Sequence, residues 1–219
     1  MSAVPSATPA KKPYAPRLPA AERREQLLDA AQRIALERGF HAVSVDGVAK
    51  ACGVTRPVVY GVFEDRTAML AALFARGEER ALAGLARVFP AIPGPGDDVD
   101  PDDLLLQGIT AYLQTVSADP DTWRIILVPP EGAPPELEQR VNAQRRVMLR
   151  TLRGLLDWGL PRRGGPPVDP DLFARAVFTL AEGAARLLLV DPERWRVEQF
   201  TDFTRTALAA LGPGVRPPG

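Results

Sequence analysis

Apolar residues recur at helical spacing along most of the chain. Leu27, Ala30, Ala31, Ile34 and Ala35 fall on one side of a segment that starts at Ala20, with charges opposite, and predict an amphipathic helix. Gly39 stops it as a left-handed C-terminal residue, and Phe40 just beyond can fold back onto the last turn. Val45, Val48, Ala49 and Cys52 lie at i, i+3, i+4 and i+7, so they form the buried face of a second, short helix. Ser44 caps that helix, Asp46 suits its first turn and Gly53 ends it. Thr55 caps a third short helix that tolerates Pro57 in its first turn and runs to about Val62. Asp65 caps a fourth, with Leu70, Leu73, Phe74, Leu82 and Leu85 as its apolar face. Pro90, Pro93, Gly94, Pro95 and Gly96 then make a break, after which helical patterns resume over 101–118, 120–128, 135–159, 169–190 and 193–211. No long stretch alternates with period two, so an all-α fold is expected.

The pattern divides the chain into a disordered Pro-rich arm (1–19), a three-helix domain (20–66), a larger helical domain (67–212) and a flexible tail (213–219). With 219 residues and 46% hydrophobic content the chain can bury a sizeable core. Its net charge is +0, but the bases lean forward: up to Arg66 there are ten bases against seven acids, an excess of three. That mild asymmetry permits contact with DNA without arguing for it. The single cysteine, Cys52, cannot form an internal disulfide and reads as a small buried hydrophobe. The lone histidine, His41, falls in a loop and reads as bland. The first nineteen residues hold no apolar run resembling a secretory signal, and no segment has the roughly 20 apolar residues of a membrane span, so a cytoplasmic chain with no membrane partner is expected.

The two short helices carry the informative chemistry. A glycine-containing turn, Cys52-Gly53-Val54, between them fits a helix-turn-helix, whose second helix enters the major groove with its N-terminal residues facing base edges. Thr55 and Arg56 stand at that end, where free amides also favour phosphates. Arg56 can bond guanine at two atoms or grip a phosphate. Val58 or Val59 can meet a thymine methyl, and the Tyr60 hydroxyl suits a phosphate.

In its details the region resembles the TetR family of bacterial regulators. The family's R-E-x-I-L-x-A-A is matched by Arg24, Glu25, Leu27, Leu28, Ala30 and Ala31, and its E-R-G-[FY] by Glu37, Arg38, Gly39 and Phe40. Its T-[TV]-x-x-[IV]-A-x-x-[AS]-G-V-[ST] appears as Ser44, Val45, Val48, Ala49, Ala51 or Cys52, Gly53, Val54 and Thr55. Its Y-x-H-F-x-x-K-x-x-L appears as Tyr60, Val62, Phe63, Arg66 and Leu70. The resemblance implies that Ser44, Thr55, Tyr60 and Arg66 hold phosphates, and that Arg56, with Val58 or Gly61, faces bases. This chain departs from the pattern at three places: Pro57 replaces a glycine at the DNA-facing surface, Val62 a histidine, and Arg66 a lysine.

The C-terminal region reads as a dimerisation and effector domain. Phe173, Val177, Leu180 and Ala184 share one side of the helix over 169–190, and Phe200, Phe203 and Ala207 one stripe of the last helix. Val197, Thr204 and Leu208 form a second stripe there, and two apolar stripes on a terminal helix suggest one partner within the chain and another across a symmetry axis. The resemblance implies pairing of the last two helices between subunits into a four-helix bundle, and a small-molecule pocket among the middle helices. Trp123, Met148, Trp158 and Phe178 are the candidate ligand-binding residues; with few polar groups among them, a small apolar effector is expected. No cofactor or metal is implied.

An enzyme is the weaker reading. One His and one Cys give no nucleophile pair, and no glycine-rich phosphate loop, H-E-x-x-H or G-x-S-x-G occurs. The expected function is a DNA-binding regulator, a repressor acting as a homodimer on a palindromic operator. The alternative is a helical protein-interaction module with a degenerate helix-turn-helix.

Overall fold

The computed structural model describes residues 18–86, 98–163 and 167–210. The Pro-rich arm up to Arg17, the break from Pro90 to Gly96, Leu211 and the tail over 213–219 lie outside the described residues. Among those described, the order is α1 (Ala20–Arg38), a 3-10 turn (Phe40–Ala42), α2 (Val45–Cys52), α3 (Arg56–Tyr60), α4 (Arg66–Leu85), α5 (Pro101–Ala118), α6 (Pro120–Leu127), α7 (Pro135–Arg163), α8 (Pro170–Val190) and α9 (Val197–Ala210). The fold is all-α, as expected. No helix among the described residues is long and apolar enough to cross a membrane.

Side-chain chemistry sets most helix starts. Ser44, Asp65, Asp100, Asp119 and Asp169 each accept hydrogen bonds from first-turn amides of the helix they precede. Proline opens α5, α6 and α8, where its missing N–H costs nothing. Three boundaries differ from expectation. The third helix ends at Tyr60 rather than near Val62, because the chain tightens into a turn in which Val62 N–H bonds the Val59 carbonyl. The last helix starts at Val197 rather than 193, because Asp191 draws the backbone of Arg194 into a turn. α7 continues past Pro161 to Arg163. There the Arg162 guanidinium donates to the Trp158 carbonyl, while Arg163 reaches Asp102 of α5 and the Leu208 carbonyl of α9, so tertiary bonds hold the turn that proline weakens.

Among the described residues, three apolar clusters form the interior. The first gathers Leu27, Leu28, Ala31 and Ile34 of α1, Phe40, Val48, Val59, and Met69, Leu70, Leu73 and Phe74 of α4, with Ile125 of α6 and Leu137 of α7. The second joins Ala81 and Leu85 of α4 to Tyr112, Leu113, Trp123, Leu188 and Leu189. The third packs α5, α7, α8 and α9 around Leu104, Leu155, Ala174 and Leu208. α4 thus belongs to both halves of the chain, so the boundary expected at residue 66 is not a gap in packing. Leu82, expected on the buried face of α4, is 43% exposed. Buried in the same helix, Arg76 donates to Asp29 at 2.6 Å, Gln32 at 2.7 Å and Glu25 at 3.1 Å, clamping α4 to α1.

Candidate nucleic-acid interface and cavity

α2 and α3 are joined by Gly53, Val54 and Thr55. Gly53 adopts φ 65° and ψ 29°, a left-handed conformation that costs glycine nothing, and the Val54 amide turns back onto the Ala49 carbonyl at 3.0 Å. Val48, Ala49 and Val59 are consequently buried together against α1. Ser44 Oγ accepts from the Gly47 amide at 3.0 Å. Thr55 caps α3 only through its backbone: its carbonyl accepts from Val58 N–H at 3.0 Å, and its side chain makes no cap bond. This corrects the expected hydroxyl cap and leaves that hydroxyl for another partner.

The outer side of α3 is open. Thr55, Arg56, Pro57, Tyr60 and Gly61 are exposed and Val58 is half-buried. The Arg56 guanidinium forms a two-pronged ion pair with Asp46, in the first turn of α2. Both side chains are more than half exposed, so the pair is weak enough to open towards a stronger partner. Asp46 reads in the sequence only as a helix-start residue; its contact with Arg56, ten positions on, needs the fold to exist. Arg66 behaves differently. Its Nε donates to the Val43 carbonyl at 2.6 Å and its Nη2 to the Phe40 carbonyl at 2.7 Å. Arg66 thus braces the 3-10 turn while the residue itself stays exposed. Cys52 is half-buried with its thiol on the Gln26 carbonyl at 3.5 Å, and burial pushes that thiol above its usual range.

A mostly apolar cavity lies between α4, α5, α6, α7 and α8. It is partly open to solvent, and Trp123, Met148 and Phe178 are on its wall, with Tyr112, Thr122 and Ile126 among the others. A second hollow, lined by Leu104, Leu105, Leu152 and Leu155, shares Tyr112, Met148, Phe178 and Glu182 with the first. Trp158 is the exception among the candidate ligand residues. It lines neither space, packs against the third cluster, and carries the Arg162 guanidinium 4.7 Å above its ring. The polar residues on the cavity wall could not be foreseen, because they approach it from six separate helices, α1 and α4 to α8.

The expected dimer residues divide. Leu180 and Phe203 are 69% and 67% exposed. Phe173 and Val177 instead pack on the third cluster, Ala184 and Phe200 on the second, and Ala207 is half-buried. The stripe read from the sequence lies on the shoulder of α8. The apolar residues left open on α8 are the expected Leu180 together with Leu172, Ala176, Leu187 and Val190. Helical spacing shows which residues share a side, but not which side neighbouring helices cover.

Residues 27–73 match the profile of bacterial regulatory proteins, tetR family. The HTH-type transcriptional activator FasR of Mycolicibacterium smegmatis is 29% identical over 110 residues, which is 50% of this chain and 48% of that protein. The regulator EthR of the same organism is 30% identical over 103 residues, 47% of this chain and 45% of its own. The chain thus spans about half the length of these curated relatives. A TetR-like transcriptional regulator from Rhodococcus sp. RHA1 is similar in structure with a TM-score of 0.69 at 23% identity, covering 88% of this chain and 99% of its own. FadR from Bacillus subtilis, solved in complex with stearoyl-CoA, gives 0.62 at 20%, covering 87% and 98%. The structural likeness carries the fold, and the profile match falls on α1 to α4, which hold the helix-turn-helix. Residues 27–73 are thus similar to the N-terminal domain of the tetR family of bacterial regulatory proteins, and the remaining helices share the fold of such regulators.

Proposed function

We propose that the chain is a transcriptional repressor, acting in the cytoplasm on the nucleoid. It binds a palindromic operator as a homodimer and releases it when a small apolar ligand fills the helical cavity. The observation that carries this reading is the division of α2 and α3 into two sides. Val48, Ala49 and Val59 are locked in the core, while Thr55, Arg56, Pro57, Tyr60 and Gly61 stand open on one surface. A helix presented in this way fits the major groove. The exposed face of α8 with Phe203 of α9 supports the dimer, since a palindrome requires two recognition helices related by a two-fold axis. The cavity supports a ligand that binds the DNA-incompetent state better, the one condition under which binding can release DNA. That Bacillus subtilis FadR was solved with stearoyl-CoA makes a long-chain acyl compound a reasonable first class to try.

Gel-shift titration with the DNA upstream of the chain's own gene tests the reading. Sub-micromolar shifts that survive non-specific competitor are expected. Only sequence-blind, salt-sensitive binding would instead leave a helical interaction module with a degenerate helix-turn-helix. A promoter fusion whose output rises when the gene is deleted distinguishes repression from activation.

A further inference from the structure

Thr122 stands apart from six other helical threonines. Thr110, Thr115, Thr151, Thr201, Thr204 and Thr206 each donate their hydroxyl to the carbonyl four residues earlier in the same helix. Thr122 sits in the first turn of α6, directly after the chain breaks at Asp119, and has no carbonyl of its own helix four residues behind it. It is 3% exposed, its Oγ1 has no hydrogen-bond partner, and it lines the cavity. A buried hydroxyl in that condition is costly, because its desolvation is uncompensated. Tyr112 lines the same space, T-stacked on Trp123 with ring centroids 5.7 Å apart, and none of the hydrogen bonds among the described residues involves its hydroxyl. Burial first and the nearby Glu182 second push its phenol well above the usual range, so it stays protonated. What both hydroxyls lack is an acceptor.

The charged groups on the wall are already matched. Arg145 pairs with Glu182 at 2.7 and 3.1 Å, and Glu78 accepts from Arg140 at 2.8 Å and from Gln144 at 2.6 Å. No cation of the wall is therefore unspent, and a buried carboxylate would enter without a counter-charge. The two adjoining hollows, joined at Tyr112, Met148, Phe178 and Glu182, suit an elongated apolar body.

We infer that the cavity selects an uncharged, chain-like molecule whose one buried polar group is a carbonyl oxygen, held by the Thr122 hydroxyl with Tyr112 as a second donor. This rests on the proposed ligand-responsive reading and narrows it to neutral ketones, esters or thioesters over free acids.

Calorimetric titration of the full chain with 2-undecanone and with undecanoate at pH 8 tests it, in the wild type, Thr122→Val and Thr122→Ser. Saturable binding of the ketone is expected, with undecanoate at least about tenfold weaker. Thr122→Val should weaken the ketone about tenfold, and Thr122→Ser should restore it. The valine variant removes an unpaired hydroxyl at nearly constant volume, so its melting temperature should hold or rise, which shows that it is folded. The inference is overturned if 2-undecanone does not bind, if undecanoate binds as tightly, or if Thr122→Val binds the ketone like wild type. Operator release is read separately by gel shift. A ketone that binds through Thr122 yet leaves the DNA complex intact would sink the release reading alone.

Discussion

The backbone amide of Phe40 donates to the carbonyl of Glu131 at 2.8 Å, tying the 3-10 turn after α1 to the loop between α6 and α7. Both of those helices line the cavity, and Ile125 and Leu137 beside the loop belong to the core of the helix-turn-helix half. The Phe40 carbonyl in turn accepts from Arg66, at the start of α4. A ligand that moves α6 or α7 is thereby one hydrogen bond from the turn that positions α2.

Gly39→Ala should break this junction. Gly39 has φ 84° with an extended ψ of 163°, not the left-handed C-cap expected, and a Cβ there would lie 2.9 Å from the Glu131 carbonyl oxygen and from His41 Nδ1. The variant is expected to lose about 1–3 kcal/mol by urea unfolding. Its operator complex should also respond less to ligand in a gel shift. Glu131→Ala keeps the carbonyl and should behave like wild type in both assays; equal behaviour of the two variants would show that the junction carries nothing.

Arg66 and Arg56 should separate cleanly in mutagenesis. Arg66→Ala removes two charge-assisted bonds to backbone carbonyls and should cost about 1–3 kcal/mol of stability. The salt dependence of operator affinity should keep its slope. A slope reduced by about one would place Arg66 on a phosphate after all. Arg56→Ala should leave stability within about 0.5 kcal/mol, since its pair with Asp46 is exposed. It should relax specificity at one base pair by about 1–3 kcal/mol in a panel of operator variants.

Leu180→Asp combined with Phe203→Asp should yield a folded monomer in sedimentation, because both positions are open to solvent. Phe200→Asp should instead lower the melting temperature. Its ring lies 5.6 Å from that of Trp195 and packs on the second cluster. A wild-type chain that sediments as a monomer at micromolar concentration would contradict the dimer.

Cys52 should alkylate slowly. Its thiol is held on the Gln26 carbonyl and pushed above its usual range by burial, so little thiolate exists near pH 8. Iodoacetamide labelling of the native chain is expected to be about tenfold or more slower than in urea, and to quicken as pH rises. Equal rates would show that the site is accessible and unperturbed.

The amino-acid sequence by itself determined the helices and the helix-turn-helix, because these depend on spacing and on local caps. The i, i+3, i+4, i+7 set of Val45, Val48, Ala49 and Cys52, the Ser44 cap and the Gly53 turn are all properties of neighbouring residues. The starts of α5, α6 and α8 were legible for the same reason, as an acid followed by proline. Tertiary structure alone decided what the side chains do. Arg66 became a brace because carbonyls more than twenty positions earlier come within reach, and Asp46 became the partner of Arg56 because the turn brings α2 and α3 together. The open face of α8 shifted away from Phe173 and Val177 because α5 and α7 cover that shoulder, and the Thr122 hydroxyl was stranded because α6 begins there. A periodic pattern fixes which residues share a side of a helix; only the neighbours that arrive later fix whether that side meets protein, solvent or a cavity.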